Sequence, residues 1–570
     1  MTSADVVRRF LLDPRSYLKL RAAEGPAAVI AEVEGHDAGA ECAGSEPLPP
    51  LDAVDLVETH LSLVALVSDR VVKVKKPVHY EFVDLRTLAA RWRVCEDEVR
   101  LNRRLAPGVY LGVVPITEAP GGLEFNGAGA VAEYAVLMRR LPCERTLEAL
   151  LGSGEVTPAV IERLGCLLAQ FHAETVPVDP EEAAAWPRRM ERNCAENFHE
   201  TRQFLGVTLD GDLDDFIQRQ TQRFLEAAEP LFRQRIAALR IRECHGDLRL
   251  EHIYLTEPIA IIDCVEFSDR FRNVDTAADL AFLSMELGLH GYHDLNRRLL
   301  ESYRAASGDK HLARLLNFYR SYYAYVRGKV VSLRLQGNGP QGAERSSLLD
   351  RAQRLFVLAG SYALGLPRPL CVVVFGLMGS GKSTLARALA QRLCWPLLQS
   401  DAERKAAEPG APPPAAEAIR APYAQGEYSS ARRNAVYDRL AEHARAYLAA
   451  GQSVVLDATY SRRAWRREIT ARVREASGSI CFVERRASEA TIRRRLRKRE
   501  REGRSLSDGR LDLFDAHRAD YEPPDEIDPT MLLRVTTEER EEAVREAESF
   551  LRRSASARWR GDWPEGGPAR

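Results

Sequence analysis

The sequence predicts a multidomain chain that joins an α+β part to an α/β part built on a doubly wound parallel sheet. Three observations predict it. An apolar, mostly β-branched run, Val372–Phe375, leads into a glycine-rich turn and then into residues of helical composition, Thr384–Cys394, which is how a buried parallel strand is followed by its crossover helix. Further strand-like runs, Leu397–Ser400, Gln452–Thr459 and Ser479–Glu484, alternate with helical stretches downstream. Upstream, Leu63–Val67 and Arg70–Val74 read as two strands joined by a Ser-Asp turn, followed by a helix over 83–106 and another strand over Glu133–Leu141.

Length and composition bound what the chain can be. Its 570 residues correspond to three or four units of ~150 residues. Lys+Arg 81 against Asp+Glu 82 leaves a net charge of −1, so bulk charge argues against a nucleic-acid or membrane partner. The ten cysteines are scattered, with no C-x-x-C and no Cys/His cluster at zinc spacing. They read as reduced thiols of a cytoplasmic protein. The start, MTSADVVRRFLLDP, carries acids and lacks an apolar core, so no signal peptide is expected there. No apolar run reaches the ~18 residues of a membrane span.

In chain order, residues 1–50 mix short helical pieces with a Gly/Ala/Glu/Pro-rich stretch, Glu34–Pro50, expected to be a loop. The strand Arg70–Val74 alternates, with Val72 and Val74 on one face and Val71, Lys73 and Lys75 on the other. An inward lysine on such a strand is what a kinase-type lobe uses to hold α/β-phosphates, and an edge strand kept soluble by lysines is the other reading. The helix over 83–106 offers Glu96 and Glu98 as partners for that lysine. Glu133–Leu141 stands where a hinge between two lobes would expose backbone groups to adenine, and Ala159–Ala173 is an apolar helix ending in LLAQFHA.

Ile241–Phe267 carries the first chemical centre. Asp247 sits in H-G-D-L, His252 lies five residues later, and the apolar run Ile259–Ile262 ends at Asp263. A loop Asp followed by a strand and a second Asp is the arrangement of a base plus a Mg²⁺ ligand. Asp247 is expected to orient or deprotonate a hydroxyl, and Asp263 to bridge Mg²⁺ to phosphate oxygens.

Together with DTAADLAFL at Asp275–Leu283 and LLAQFHA upstream, these motifs make residues ~55–335 resemble the aminoglycoside phosphotransferase-like kinases. THLS, VKVKKPV, LNRRLAPGVYLGV and CHGDLRLEH resemble, more narrowly, bacterial proteins that fuse such a domain to a P-loop kinase domain of the zeta-toxin-like kind. The resemblance implies a bilobal, protein-kinase-like fold for residues 1–340. It implies Lys73 on the phosphates, Glu98 (or Glu96) paired with it, Asp247 as base and Asp263 on the metal. The chain departs from the pattern twice. His252, a candidate metal ligand, stands where most of the wider family has a metal-holding Asn, and no G-x-G-x-x-G precedes the lysine strand, leaving the turn with Thr59, His60 and Ser62 to cover the phosphates.

Residues 313–336 form a long aromatic-rich helix whose stripe reads as core. After the turn Gly337–Gly342, the helix Ala343–Leu364 links to the second part, with the boundary near 340–368. There, Gly376, Gly381, Lys382 and Ser383 complete G-x-x-x-x-G-K-S, the P-loop pattern. The backbone from Gly376 through Gly379, Ser380, Gly381 and Thr384 is expected to wrap phosphate oxygens, with Lys382 on the β/γ-phosphates and Ser383 on Mg²⁺. Asp401 and Arg404 in S-D-x-x-R-K sit where P-loop kinases of small molecules and polynucleotide ends place a base and a substrate clamp; an N-cap Asp with a surface Arg is the plain alternative. Asp457 ends the third strand and is placed as a Walker B metal ligand. Thr491–Arg504 is a short basic helix expected to act as a lid, with Arg495 and Arg499 on one face toward ATP. Glu538–Arg552 reads as the last helix of a P-loop domain spanning 369–553, and 554–570 as a disordered tail. The sequence thus predicts two ATP- and Mg²⁺-dependent kinase modules acting on a hydroxyl of a small polar metabolite. The alternative is a P-loop kinase of a nucleotide-sugar or nucleic-acid end, joined to a binding pseudokinase.

Overall fold

The computed structural model describes residues 3–17, 54–80, 82–336, 341–406, 430–502 and 511–559. The predicted loop Glu34–Pro50 lies outside the described residues, as do the Pro-rich stretch Glu408–Glu417, most of the turn after residue 336 and the tail from residue 560. The chain divides into two compact units: Met1–Thr157, Phe171–Pro177 and Arg242–Val274 form the first, and Pro158–Gln170, Val178–Ile241 and Asp275–Arg570 the second.

The first unit holds helix α1 (Ser3–Leu12) and strands β1 (Asp55–Glu58), β2 (Ser62–Val67) and β3 (Arg70–Lys75), then helix α2 (Leu88–Asn102) and strands β4 (Tyr110–Ala119), β5 (Gly122–Phe125) and β6 (Val131–Arg139). The strands form one antiparallel sheet in the order β1-β2-β3-β6-β4-β5. β3 is therefore interior, with Lys73 opposite Val64 on one side and Val136 on the other. The edge-strand reading of its lysines does not hold. One face of the sheet, carrying Ala65, Val72, Val74 and Leu137, packs under Val7, Phe10 and Leu11 of α1. Strand alternation turns Val136 and Met138 to the other face, against Cys95 and Val99 of α2. Lys73 and Lys75, out of phase with Val72 and Val74, share that second face.

The predicted helix over 83–106 is shorter at both ends. Thr87 accepts a hydrogen bond from the Ala90 N–H and caps α2. Val83–Asp84 pairs instead with His79–Tyr80. The predicted strand Ile259–Ile262 contracts to Ala260–Ile261, antiparallel to Ile253–Tyr254.

The second unit contains helices α3 (Thr276–Leu289), α4 (Leu312–Leu333) and α5 (Gly342–Leu364), then strand β7 (Leu370–Phe375). Helix α6 (Lys382–Leu393), strand β8 (Leu397–Gln399), helices α7 (Ser400–Ala406) and α8 (Ser430–Ala449), and strand β9 (Val454–Asp457) follow. Helix α9 (Arg463–Glu475), strand β10 (Ser479–Arg485), helix α10 (Glu489–Glu502), strand β11 (Leu532–Val535) and helix α11 (Arg540–Arg558) complete it. Five parallel strands lie in the order β8-β9-β7-β10-β11. The chain leaves β7 in one direction and later crosses to its other side, so the carboxyl end of β7 is a topological switch point, where such sheets bind ligands. Every residue of β7 is fully buried, as its unbroken apolar sequence requires.

The aromatic stripe of α4 is core: Phe318 stacks on Phe224, and Tyr323 on Phe282. Asp275 caps α3 through the Ala277 N–H and binds the buried Arg235, which also contacts Asp309. The helices and the parallel sheet share polar ties. Asn317 donates to the Gly365 carbonyl, Arg320 to that of Gly451 at 2.9 Å, and Tyr447 to the Asp294 carboxylate at 2.7 Å. The sequence-based tail begins too early, because α11 continues to Arg558. Ser554 and Ala555 are buried, and Arg558 donates to the Leu364 carbonyl at 2.6 Å.

Candidate active site

Two sites form, one in each unit. In the first, a chain of alternating charges crosses the joint between β3 and α2. Lys73 Nζ lies 2.9 Å from Asp263 Oδ1 and 2.7 Å from Glu98 Oε1. Lys75 Nζ lies 2.6 Å from Glu98 Oε2 and also contacts Glu266. Glu98 has no exposed surface, while Glu96, one turn position away, faces solvent. The choice between them is settled for Glu98. Burial alone would lower the Lys73 pKa, but Asp263 and Glu98 raise it well above the ordinary value. The Lys73 ammonium in turn holds the Asp263 carboxyl far below the carboxylate range. Burial would raise Glu98, and the two lysines bring it below its usual value. Glu266 goes the other way, raised by burial against the pull of Lys75. One lysine between two buried carboxylates cannot compensate both.

The loop bearing Asp247 is fixed by its neighbours. His245, 1 % exposed, places Nε2 3.0 Å from the Ile262 carbonyl and accepts the Asp247 N–H at Nδ1. Gly246 has φ +84°, and a Cβ there would meet the Phe271 carbonyl oxygen at 2.8 Å, so only glycine fits the turn. Asp263 itself has φ +63°, a backbone conformation concentrated at functional positions. Its N–H donates to the Tyr110 hydroxyl at 3.2 Å, and Asn102 accepts the next N–H, that of Cys264. His252 reaches Asp263 Oδ2 at 3.6 Å through Nε2. One donor atom from each of Asp247, His252 and Asp263 falls within a 4.8 Å cluster, which fits a divalent metal bound beside Asp263. Thr59 and Ser62 close the β1–β2 turn, with the Ser62 N–H donating to Thr59 Oγ1 at 2.9 Å.

In the second unit, Gly376 has φ +142°, and a Cβ on it would sit 2.4 Å from the Arg485 carbonyl oxygen. Gly381, at φ +94°, is the residue before α6. These glycines let the loop turn its N–H groups inward at the helix N-terminus. Lys382 and Ser383 open α6. Ser380 is 1 % exposed and its hydroxyl has no hydrogen-bond partner among the described residues. Asp457 accepts from Gln399 Nε2 at 2.8 Å with Oδ2, and its buried Oδ1 has no hydrogen-bond partner among the described residues. An orphaned carboxylate oxygen beside the P-loop fits a metal or its water shell.

Arg495 of α10 donates to the Ser380 carbonyl at 3.0 Å. Ile492 and Leu496 of α10 pack with Phe514, and with Leu377 and Met378 of the loop. Arg495 and Arg499 line a cavity of about 420 Å³ with Gly379, Gly381, Thr384 and Arg485. Asp401 and Arg404 pair at 3.2 Å on the first turns of α7. Asp401 is inside the helix that starts at Ser400, so it is not the N-cap.

Several residues of these sites carry no local sequence signal. His517 is 5 % exposed, and burial, with Lys382 adding, brings its pKa down to about 4. Asp520 is gripped by Arg462, down to 2.7 Å, and by Arg433 at 3.6 Å. Lys75 was legible from its spacing, two residues from Lys73 and so on the same face. Glu266, 191 residues from Lys75, was not.

Each of the two parts matches a known family. The Phosphotransferase enzyme family pattern matches residues 67–318, and the AAA domain pattern, of P-loop kinase type, matches residues 371–524. Uncharacterized proteins of Mycobacterium tuberculosis (strain H37Rv) and Mycobacterium bovis are each 33% identical over 430 residues, covering 73% of this chain and 80% of theirs. A gluconokinase from Sinorhizobium meliloti 1021 is 24% identical, covering 34% of this chain and 96% of its own at a TM-score of 0.26. An aminoglycoside 2'-phosphotransferase-IIIa is 16% identical, covering 55% and 93%, at a TM-score of 0.34.

Fold and family together define a kinase-type phosphotransferase. The chain belongs to the family of these mycobacterial proteins, and in it a domain of the phosphotransferase enzyme family precedes a P-loop kinase domain. Kinases of both types use a nucleoside triphosphate and typically a divalent metal. Among the described residues, no helix is long and apolar enough to cross a membrane.

Proposed function

We propose that both parts are working kinases, one to about residue 340 and the other over 369–553, each moving the γ-phosphoryl group of ATP to a hydroxyl of a small polar metabolite such as a sugar, amino sugar or nucleoside. The observation that carries this reading is the Lys73–Glu98 ion pair at 2.7 Å with Asp263 on the other side of the same ammonium. This is the arrangement by which kinase-type lobes hold a lysine on the ATP phosphates opposite a metal-side aspartate.

In the first site, Lys73 holds the α/β-phosphates while Glu98 fixes its position, and Asp247 orients the acceptor hydroxyl and takes its proton. In the second, the N–H groups from Gly379 to Thr384 and the Lys382 ammonium cradle the β- and γ-phosphates. Arg495 and Arg499 close over them, and Asp401 takes the acceptor proton while Arg404 clamps the substrate. Asp263, with His252 beside it, would hold a divalent metal in the first site, and Ser383 with Asp457 would hold Mg²⁺ in the second; such an ion would supply charge neutralisation for the transferring phosphate. Everything else is positioning.

The test is an acceptor screen with the full chain. A bacterial metabolite extract is incubated with Mg-ATP and wild type, Asp247→Ala or Lys382→Ala, and products are read as mass gains of one phosphate. Each variant is expected to lose one product and keep the other. A product lost only in Lys382→Ala, with none depending on Asp247, refutes the first site as a kinase. One variant silencing both products refutes two independent sites.

A further inference from the structure

We propose that the cation beside Asp263 is bound through an imidazole nitrogen of His252, and that this site so takes a first-row transition-metal ion such as Mn²⁺ in preference to Mg²⁺. This rests on the reading of the first site as a nucleotide site.

The orientation of His252 carries the inference. Its Nδ1 lies 2.9 Å from the backbone carbonyl oxygen of Asp247. A carbonyl can only accept, so Nδ1 carries the hydrogen of that bond, which makes Nε2 the ring atom available to a cation. That atom faces Asp263 Oδ2 at 3.6 Å, a separation that one cation with bonds of about 2.1 Å can bridge. The other oxygen, Oδ1, is already held by Lys73 at 2.9 Å, so Oδ2 is the one turned to the ring. The His252 side chain is 12 % exposed, and the ring has little freedom to swing its nitrogen away. An outer hydrogen bond from Nδ1 to a carbonyl is also what fixes the tautomer of a metal-ligating histidine.

The chemistry then discriminates between ions. Mg²⁺ is hard, favours oxygen and sheds water reluctantly. First-row transition ions accept imidazole readily. With one nitrogen, carboxylate oxygens and phosphate oxygens in one site, Mn²⁺ satisfies every donor, and Mg²⁺ gives up its preferred ligand at one position. The P-loop site offers the Ser383 hydroxyl and the Asp457 carboxylate, oxygens only. One chain therefore carries two nucleotide sites of different metal preference.

The experiment uses the full chain carrying Lys382→Ala to weaken the second site, with Mn²⁺ and ADP as the probe. Pulsed electron paramagnetic resonance reads nitrogen coupled to the bound Mn²⁺. We expect a ¹⁴N coupling that becomes ¹⁵N when only histidine is ¹⁵N-labelled, and that vanishes in His252→Asn and His252→Ala. Competition with Mg²⁺ should find the Mn²⁺ preference of His252→Asn reduced roughly tenfold. A bound Mn²⁺–ADP signal without histidine coupling, or one unchanged in both His252 variants, overturns the inference and leaves the nucleotide site standing. Absence of ADP binding by calorimetry in the same protein overturns the site reading and the inference with it.

Discussion

Lys75 is the residue through which the first site can be disturbed without touching a group assigned to substrate or metal. Lys75→Met leaves Glu98 its partner Lys73, so the loss falls on Glu266, which is 7 % exposed and contacts Lys75 directly. Breaking a buried pair by removing one partner costs about 3–5 kcal/mol. Glu266 can escape part of this by taking up a proton, since burial already raises its pKa, so the lower end, ~3 kcal/mol, is expected. Lys75→Met combined with Glu266→Gln removes the stranded charge, and replacing a whole buried pair is far milder, ~1 kcal/mol here. The double variant should therefore recover ~2 kcal/mol of the single variant's loss. At ~2–4 °C per kcal/mol for a unit of this size, the single variant should melt ~6–12 °C lower and the double variant only a few degrees lower. The assay is thermal and urea unfolding of the full chain, with ADP affinity measured in the Lys382→Ala background. Equal losses in single and double variants would mean that Lys75 acts as packing, and the alternating charge chain would be refuted.

Two further outcomes follow from buried charge elsewhere. His517 is neutral in the fold, its pKa lowered from the ordinary 6.5 to about 4 by burial and by Lys382; the unfolded chain binds the extra proton first, so stability present above pH 6.5 should fall by up to ~3 kcal/mol as pH drops toward 4. Urea midpoints across that range should show the slope, and His517→Gln should flatten it. Arg235→Met strands Asp275 and Asp309, both at most 2 % exposed, and should cost about 4 kcal/mol or more in thermal unfolding, with Arg235→Lys recovering part of the loss.

What the sequence disclosed follows from how far each signal reaches along the chain. The P-loop glycines, the strand ending in Asp457 and the H-G-D-L turn are local patterns, because their chemistry is done by contiguous backbone. Lys73 was legible as a strand residue out of phase with Val72 and Val74, but its interior position required knowing that β6 pairs beside it. Glu96 and Glu98 could not be told apart until the helix phase was known, and that phase is set by the Thr87 cap. The Lys75–Glu266 contact and the clasp of Asp520 by Arg433 and Arg462 join distant segments, and no local pattern encodes them. α11 was cut short at Arg552 because Ser554–Arg558 is polar, and only the carbonyl of Leu364 explains why Arg558 is buried.

The helices on the amino-terminal side of residue 340 and the parallel sheet beyond it are tied by Asn317, Arg320, Tyr447 and Arg558 into one compact body. A fusion joined by a slack tether lets heat or a protease take one catalyst and spare the other. Here the helical part that follows the Asp263 loop and the P-loop domain belong to one body, so heat or a protease cannot remove one and spare the other. Their ratio is fixed for the lifetime of the chain, and a fragment starting at residue 369 begins life with the buried faces of α4 and α5 missing from beneath it.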